Sequence, residues 1–503
     1  MQVFFFYFLI NCVKITYIKD GGSMQELNTL IELIKKYNEE EIEKVVKAYD
    51  YAFAAHEGQT RESGEPYIIH PINVCINLAK FHADGATLVA GMLHDVVEDT
   101  KCTLEEIEKE FGKDVAKLVL GVTKINNLHF SSLDEAKDAN IRRIITSLND
   151  DVRIIIIKLC DRLHNMRTLK FKKPEKQQRT ALETLSIFVP LAYFIGAFRL
   201  KCELEDICLS YLKPVVYEDL EKKSDKVRKD YIKCIDETET KIAELLKKNR
   251  IKYKMRTRVI NIYNIYRKMK KGYKLNEIHD LVNLKIILDK EEDCYRVLGL
   301  VHKLYKPLNN KFKDYIAVPK TNMYRSLHTT VFGADEHLIQ IQIKTGEMDN
   351  INTYGIASYW NKYRELGSKK MQEELLNNYQ FMSTITDLNE SIKNDKAFVE
   401  KIKHEIFSNN VYVYTANGHI IELPNNSTPI DFAYKIHTNI GNHMHKCFVN
   451  GEEVEFNYKL QNKDRIIIIT KETAKPDKKW TNIVATTLAK RKIREYFKNN
   501  KNN

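Results

Sequence analysis

His70, the run His94-Asp95-Val96-Val97-Glu98-Asp99, Asp161 and Asn165 are the residues of this chain best suited to act together chemically. His70, His94, Asp95 and Asp161 supply two imidazoles and two carboxylates, a ligand set for a hard-to-borderline divalent cation such as manganese or magnesium. The His-Asp pair lies in an apolar helical run from Leu88 to Val97. Asp95, Glu98 and Asp99 stand there at i, i+3 and i+4, so their carboxylates share one helix face. Groups crowded in this way repel or desolvate at a cost unless a cation or a nucleophilic water fills the space between them. The blander alternative is a solvated acidic helix end beside a stray core histidine. Against it, Asp161 and Asn165 recur at i and i+4 after the apolar run Ile154-Ile155-Ile156-Ile157.

A second set of reactive side chains lies further along. Arg258, Arg267 and Lys268 form one cationic cluster. Lys313-Asp314-Tyr315 and the run Lys320 to Thr330 form another, mixing cations with rings that stack on a base. Taken singly, each reads equally well as a solvated basic face. No Walker-type phosphate loop accompanies them.

The elements that position these groups follow from patterning. At 503 residues the chain exceeds one core, and about three or four domains are expected. A net charge of +12 favours acidic partners, nucleotides or RNA, without choosing between them. Residues 24 to about 200 read as helix, with spacing such as Leu27, Leu30, Ile31, Ile34 and a capping box at Thr103 to Glu106. Pro190 and Pro214 punctuate the end of this part, and a charged helix spans Lys222 to Asn249. Strands are expected at Leu281–Leu288 and Leu338–Ile343, and polar helix over 366–406. From Val411 to Thr470 short strands alternate with the turn signals Asn417-Gly418 and Asn450-Gly451, before a basic helix from Lys478 to Lys498. Nine scattered cysteines form no Cys-x-x-Cys pair, so neither a zinc site nor a disulfide framework is indicated and a reducing cytosol is expected. The apolar stretch Val3 to Ile10 is too short to span a bilayer, and no membrane association is expected. Met24 reads as the start, making 1–23 a non-native or untranslated extension.

The segment His56 to Thr100 resembles the hydrolase domain of the RelA/SpoT-homologue family, which makes and degrades the alarmone (p)ppGpp. The resemblance rests on Gln59-Thr60-Arg61, Gly64-Glu65-Pro66-Tyr67-Ile68-Ile69-His70-Pro71 and the His-Asp run. It continues through Gly121-Val122-Thr123-Lys124 and the stretch Lys158 to Leu169, and covers the chain from Met24 onward. It implies a multidomain α+β chain: an all-α HD-type metallohydrolase domain (24–200), an α+β nucleotidyltransferase-like synthetase domain (201–365), a helical connector (366–406), a small β-grasp-like TGS domain (407–472) and a basic helix and tail (473–503). By the same resemblance, His70, His94, Asp95 and Asp161 hold Mn2+, and Glu98 and Asp99 activate the attacking water. Arg61 packs on guanine, and Asn165 and Thr168 contact the ribose and phosphate region. Lys311-Phe312-Lys313-Asp314 resembles the basic form of this motif found in hydrolase-competent members.

The middle region is similar to the family's synthetase domain, which transfers pyrophosphate from ATP to the 3′-hydroxyl of GDP or GTP. Arg258 and Lys268 would bind ATP, and Asp280 would hold Mg2+. Tyr324 would stack on guanine, Asn322 and His328 would line the acceptor pocket, and Lys313, Tyr315 and Lys320 belong to the same site. The departures are concentrated on the ATP and metal side. The family strand Glu-Val/Ile-Gln-Ile-Arg-Thr is here Gln340-Ile341-Gln342-Ile343-Lys344-Thr345, so the metal-sharing base is an amide. An amide is no general base, a loss of about 10²- to 10⁴-fold. Glu336, about 13 Å away along a strand, is too distant to replace it. The family's Gly-Arg-Pro-Lys-His run is Thr257-Arg258-Val259-Ile260-Asn261, and Thr353 and Tyr359 replace a glutamate and a histidine. This pattern implies lost synthesis with retained nucleotide binding.

Val411 to Thr470 resembles the family's TGS domain, in which His437 matches a residue associated with the tRNA acceptor end; a helix-end hydrogen bond is the other reading of His437. Lys490, Arg491, Lys492 and Arg494 give the last helix a basic face for RNA or for solvent. The family's cysteine-rich and ACT modules are not expected, as though the chain were C-terminally truncated. Three readings follow. The first is a (p)ppGpp 3′-pyrophosphohydrolase of the stringent response with an inactive synthetase-like domain, its partners the guanine nucleotides ppGpp and pppGpp as substrates and GDP and GTP as products. The others are a bifunctional synthetase/hydrolase and a non-catalytic regulator binding uncharged tRNA or the ribosome.

Overall fold

The structure is a computed structural model that describes residues 21–126, 133–278, 280–308, 311–320, 322–333, 337–360, 380–405, 410–418 and 420–499. Val3 to Ile10, Glu336, Thr321, part of the 366–406 connector and the tail beyond residue 499 therefore lie outside the described residues. Two compact units emerge. One comprises the described residues within Met1–Asn127 and Asp150–Leu375, the other those within Leu128–Asn149 and Leu376–Asn503. Among the described residues, no helix is long and apolar enough to cross a membrane.

The first unit begins as stacked helices. Leu27, Leu30 and Ile34 are buried on the helix Gly21–Lys35, as their spacing requires. The expected capping box forms at Thr103, whose hydroxyl accepts from Glu106 N while Glu106 returns to Thr103 N. The expected run Leu88 to Val97 is not one helix: Gly85–Leu93 ends before His94-Asp95, and a single turn, Val96–Asp99, follows. Helical spacing survives the break because Glu98 N and Asp99 N both bond to Asp95 O.

The helix Val152–Arg167, which carries Asp161 and Asn165, is anchored at its start by ion pairs. Asp151 caps it, and the buried Arg153 guanidinium bonds to Asp151, Asp84 and Asp114. Pro214 sits in the first turn of its helix, where a missing N–H costs nothing, whereas Pro190 follows directly on the π-helical turn Thr184–Phe188 inside a continuous helical stretch. The charged helix accordingly starts at Pro214, earlier than its charge pattern indicated, and runs to Lys248.

A five-stranded sheet follows: β1 (Tyr253–Val259), β2 (Val282–Leu288), β3 (Lys313–Asp314), β4 (Leu327–Phe332) and β5 (Leu338–Thr345). Its order is β1-β2-β5-β4-β3, with only β2 and β5 parallel. One face packs Leu284, Ile286, Ile341 and Ile343 against Leu220, Ile235, Ile242 and Leu246 of the long helix. The register puts Arg256, Arg258, Asn283, Lys285, Gln340, Gln342, His328 and Thr330 on the opposite face. The helical part and the sheet part of this unit meet at glycine. Gly196 and Gly355 both have positive φ, Ile356 N bonds to Ile195 O at 2.8 Å, and a Cβ on Gly355 would lie 1.8 Å from Ile195 O.

In the second unit, β6 (Asn410–Thr415), β7 (Ile420–Pro424), β8 (Met444–Val449), β9 (Glu452–Glu453) and β10 (Arg465–Thr470) form a sheet of order β7-β6-β10-β8-β9. Asn450 and Gly451 both have positive φ in the two-residue turn joining β8 to β9, as that dipeptide dictates. The terminal basic helix is broken into Trp480–Ile483 and Thr487–Asn499. The buried Asp431 carboxylate is the reason: it accepts from Ala485 N and from both Thr486 N and Oγ1, drawing the chain out of helical register. The helix Leu133–Asp150, which the sequence groups with residues 24–200, makes its ion pair here, between Arg142 and Asp395.

Candidate metal centre and nucleotide sites

The helix Ile69–Lys80 carries His70, the break after Leu93 carries His94 and Asp95, and the helix Val152–Arg167 carries Asp161. Ligand atoms of His70, His94 and Asp161, all buried, lie within 4.8 Å of one another. Asp95 closes the group: its carboxylate is 3.5 Å from His70 Nε2 and 3.2 Å from His94 Nε2. Asp161 Oδ1 is 3.4 Å from His70 Nε2.

The donor set fits a divalent cation. His94 Nδ1 is bonded to Gly91 O at 2.8 Å, so it carries the proton and leaves the lone pair on Nε2. That buried Nε2 has no hydrogen-bond partner of acceptable geometry among the described residues. Burial acts to lower the His94 pKa, but the adjacent Asp95 carboxylate overrides it and holds His94 at about 9. Burial acts to raise Asp95 and Asp161, yet the neighbouring His94 holds Asp95 below the usual carboxylate range and Lys158, 2.7 Å away, does the same for Asp161. The buried acidic pocket demands positive charge, and Lys158 supplies part of it.

Around these ligands stand the residues expected to meet water and substrate. Tyr67, a residue the sequence reading left without a role, shares its one hydroxyl proton between Asp95 Oδ2 at 2.9 Å and Asp99 Oδ2 at 2.7 Å. Asp95 and Asp99 therefore do share a face. Asp99 is exposed, and Glu98 is half-buried one position earlier on the same turn. Arg61 is presented by a tight loop in which Gly64, with φ +84°, returns its N–H to Arg61 O. Its Nη2 bonds to Asn165 Oδ1 at 2.8 Å, and Asn165 Nδ2 bonds to Asp161 Oδ1 at 2.5 Å. Thr168 instead bonds back to His164 O at the helix end. His164 is a second residue the sequence left unassigned: its Nδ1 lies 2.8 Å from His70 Nδ1, and burial pushes its pKa down to about 3. Its i+3 spacing from Asp161 was the available signal.

The polar face of the first sheet lines a cavity of about 560 Å3. Arg256, Arg258, Lys285 and Lys344 from the strands and Arg199 from the helical part surround it, with Asp349 the carboxylate among its lining residues. Burial lowers the pKa of Lys344 to about 8. Tyr324 reaches the cavity, packs edge-on against Phe198 at 5.7 Å and bonds through its hydroxyl to His328 Nε2 at 2.7 Å. Lys320 Nζ stands 4.6 Å from the Tyr315 ring and 4.9 Å from that of Tyr324. Lys313 pairs with His328 in the β3–β4 ladder. Ile260 and Thr353 also line the cavity.

The remaining expected synthetase residues are also held by protein groups. Asp280 is ion-paired with Lys268. Gln340 accepts from Gln342 Nε2 at 3.0 Å. Asn322, 1% exposed, donates to Tyr193 O of the helical part. In the second unit His437 is exposed and caps the helix Thr438–Asn442, its Nδ1 accepting from Asn439 N at 3.2 Å. Of the basic face, Arg491 pairs with Asp387 and Lys492 with Glu495.

Residues 48–198 match the HD domain, 257–367 the region found in RelA / SpoT proteins and 411–470 the TGS domain. The bifunctional (p)ppGpp synthase/hydrolase SpoT of Escherichia coli K12 is 38% identical, over 95% of this chain and 68% of that protein. This chain belongs to the RelA/SpoT family. A probable guanosine-3′,5′-bis(diphosphate) 3′-pyrophosphohydrolase of Synechocystis is 40% identical over 90% of this chain and 60% of its own length. A GTP pyrophosphokinase of Myxococcus xanthus is 39% identical over 91% and 61%. The chain thus spans about 60% of the length of these two relatives. Among solved structures, a metazoan SpoT orthologue that hydrolyses ppGpp matches at 29% identity, over 33% of this chain and 93% of that one, with a TM-score of 0.27.

Proposed function

We propose that this chain is a metal-dependent (p)ppGpp 3′-pyrophosphohydrolase, releasing pyrophosphate and GDP or GTP in stringent-response control of the alarmone. The observation that carries this reading is the buried cluster His70, His94, Asp95 and Asp161, with Asp99 tied to Asp95 through Tyr67 and Arg61 tied to Asp161 through Asn165. A bound cation, Mn2+ by preference, would polarise the 3′-pyrophosphate and lower the pKa of the attacking water. One of the carboxylates Asp99 and Glu98 takes a proton from that water as the water oxygen bonds to phosphorus, and the proton ends on the ribose oxygen. The bond between the 3′ oxygen and phosphorus breaks, and the ribose oxygen leaves protonated as the 3′-hydroxyl. Arg61 holds the guanine, with Asn165 orienting its guanidinium. A reducing cytosol suits the eight free cysteines among the described residues.

The synthetase-like domain, in this reading, binds nucleotide without transferring pyrophosphate. Gln340 offers an amide where a base is needed, Asp280 is neutralised by Lys268, and the cavity is cationic. The TGS domain and basic helix supply a surface for uncharged tRNA or the ribosome, with exposed His437 and Arg494 as its contact points.

Two experiments test the reading. Glu98→Ala and Asp99→Ala keep Mn2+ bound while turnover of ppGpp falls about 10²- to 10⁴-fold; unchanged turnover in both sinks the water-activation assignment. An Asp95→Ala variant, unable to erase product, is given labelled ATP and GDP. No ppGpp forms, and adding Gln340→Glu restores part of the transfer. Accumulation of ppGpp without that change makes the protein bifunctional.

A further inference from the structure

His164 is 7% exposed and lies three residues after Asp161 on the helix Val152–Arg167. Its Nδ1 is 2.8 Å from His70 Nδ1 and 3.5 Å from Arg61 Nη1. Two ring nitrogens this close must be one donor and one acceptor, since two lone pairs or two N–H groups repel. Arg61 decides which is which. A guanidinium has only N–H groups to offer, and it approaches the same nitrogen of His164. His164 Nδ1 is therefore the acceptor, and His70 Nδ1 carries the proton. The lone pair of His70 is then on Nε2, the nitrogen that faces Asp95 and Asp161.

We propose that His164 is a positioning residue: it accepts the Nδ1 proton of His70, fixes His70 as an Nε2 metal ligand, and links that ligand to Arg61 on the substrate side. The inference rests on the reading of His70 as a ligand. His94 has its Nδ1 proton held by a main-chain carbonyl, Gly91 O, which no side-chain change can remove. His70 has a side chain in the same role, so its tautomer is set by one residue and is open to mutation.

The test uses Mn2+ alone, titrated into the full chain and into two variants, with melting of the metal-free proteins as a check on folding. In His164→Asn the amide oxygen takes the place of Nδ1 and keeps an acceptor; His164→Leu keeps the volume and removes it. Mn2+ affinity is expected to fall about 10- to 100-fold in His164→Leu and to stay near that of the unaltered chain in His164→Asn. Equal losses in the two variants, with both folded, overturn the proposal, because the acceptor would then be irrelevant. So does a loss in His164→Asn as large as that in His70→Ala, which would make His164 a ligand itself. Absence of Mn2+ binding by the unaltered chain overturns both this proposal and the metal-centre reading. The expected affinities without turnover of ppGpp uphold this proposal and overturn only the proposed reaction.

Discussion

Arg61 donates from Nη2 to Asn165 Oδ1 across 2.8 Å, joining positions 104 residues apart. Because Asn165 also bonds to Asp161, a residue expected to meet guanine is one side chain removed from a candidate metal ligand. Arg61→Ala and Asn165→Ala should therefore not be additive. A double-mutant cycle on kcat/KM for ppGpp should give a coupling of about 0.5–3 kcal/mol, whereas independent sites add within about 0.5 kcal/mol.

Tyr67→Phe removes one hydroxyl and leaves the ring stacked on His56, 4.4 Å between centroids. Asp99 then loses its tether to Asp95. Turnover should fall about 10- to 100-fold, the usual cost of removing an outer-shell partner, with the melting temperature nearly unchanged. A tyrosine variant that melts early would instead make the hydroxyl a folding contact.

Arg153→Leu should destabilise the chain strongly. Asp84 and Asp151 are 9% and 2% exposed; Asp84 loses its cation, and Asp151 keeps only Lys117 at 3.8 Å. Stranding buried charge in this way costs about 3–5 kcal/mol, readable as a lower urea midpoint. Since the ion-paired end belongs to the helix bearing Asp161, Mn2+ affinity should weaken in parallel.

Lys344 sets a pH dependence for the cationic cavity. Burial lowers its pKa to about 8, below its ordinary value near 10.5. Below pH 8 the folded and unfolded chains both carry the proton, and the full cost of a buried ammonium is present. As pH rises above 8 the folded chain loses the proton first, so the unfolded chain binds more and stability rises with pH. Lys344→Met should thus stabilise the nucleotide-free chain at pH 7, by an amount that shrinks between pH 8 and 10. GTP affinity of the unaltered chain should decline over the same interval, and the decline should be shallower in the variant, where Lys285, its pKa also lowered by burial, remains.

The four candidate ligands were legible because each sits in a short run whose residue types already imply a cation. Tyr67 and His164 were in plain view in the same runs, yet their roles depend on approaches such as 2.7 Å to Asp99 and 2.8 Å to His70 that no spacing encodes. Strand β2, apolar and buried, announced itself. β1 did not, since Lys254, Arg256 and Arg258 alternate where an apolar pattern was sought. The break in the last helix was hidden for a related reason: the carboxylate that causes it, Asp431, lies 54 residues before Ala485. Likewise Asn322 looked like a pocket residue by motif, while its partner Tyr193 O lies in another part of the unit.

Gly196 and Gly355 bring helical part and sheet part together main chain to main chain. At this point the spacing is set by peptide groups, while side chains such as Asn322 and Tyr324 join the two parts around it. That spacing has no slack. Any larger residue at position 355 acts as a wedge, and prising the two parts open there must first break the hydrogen bond from Ile356 N to Ile195 O.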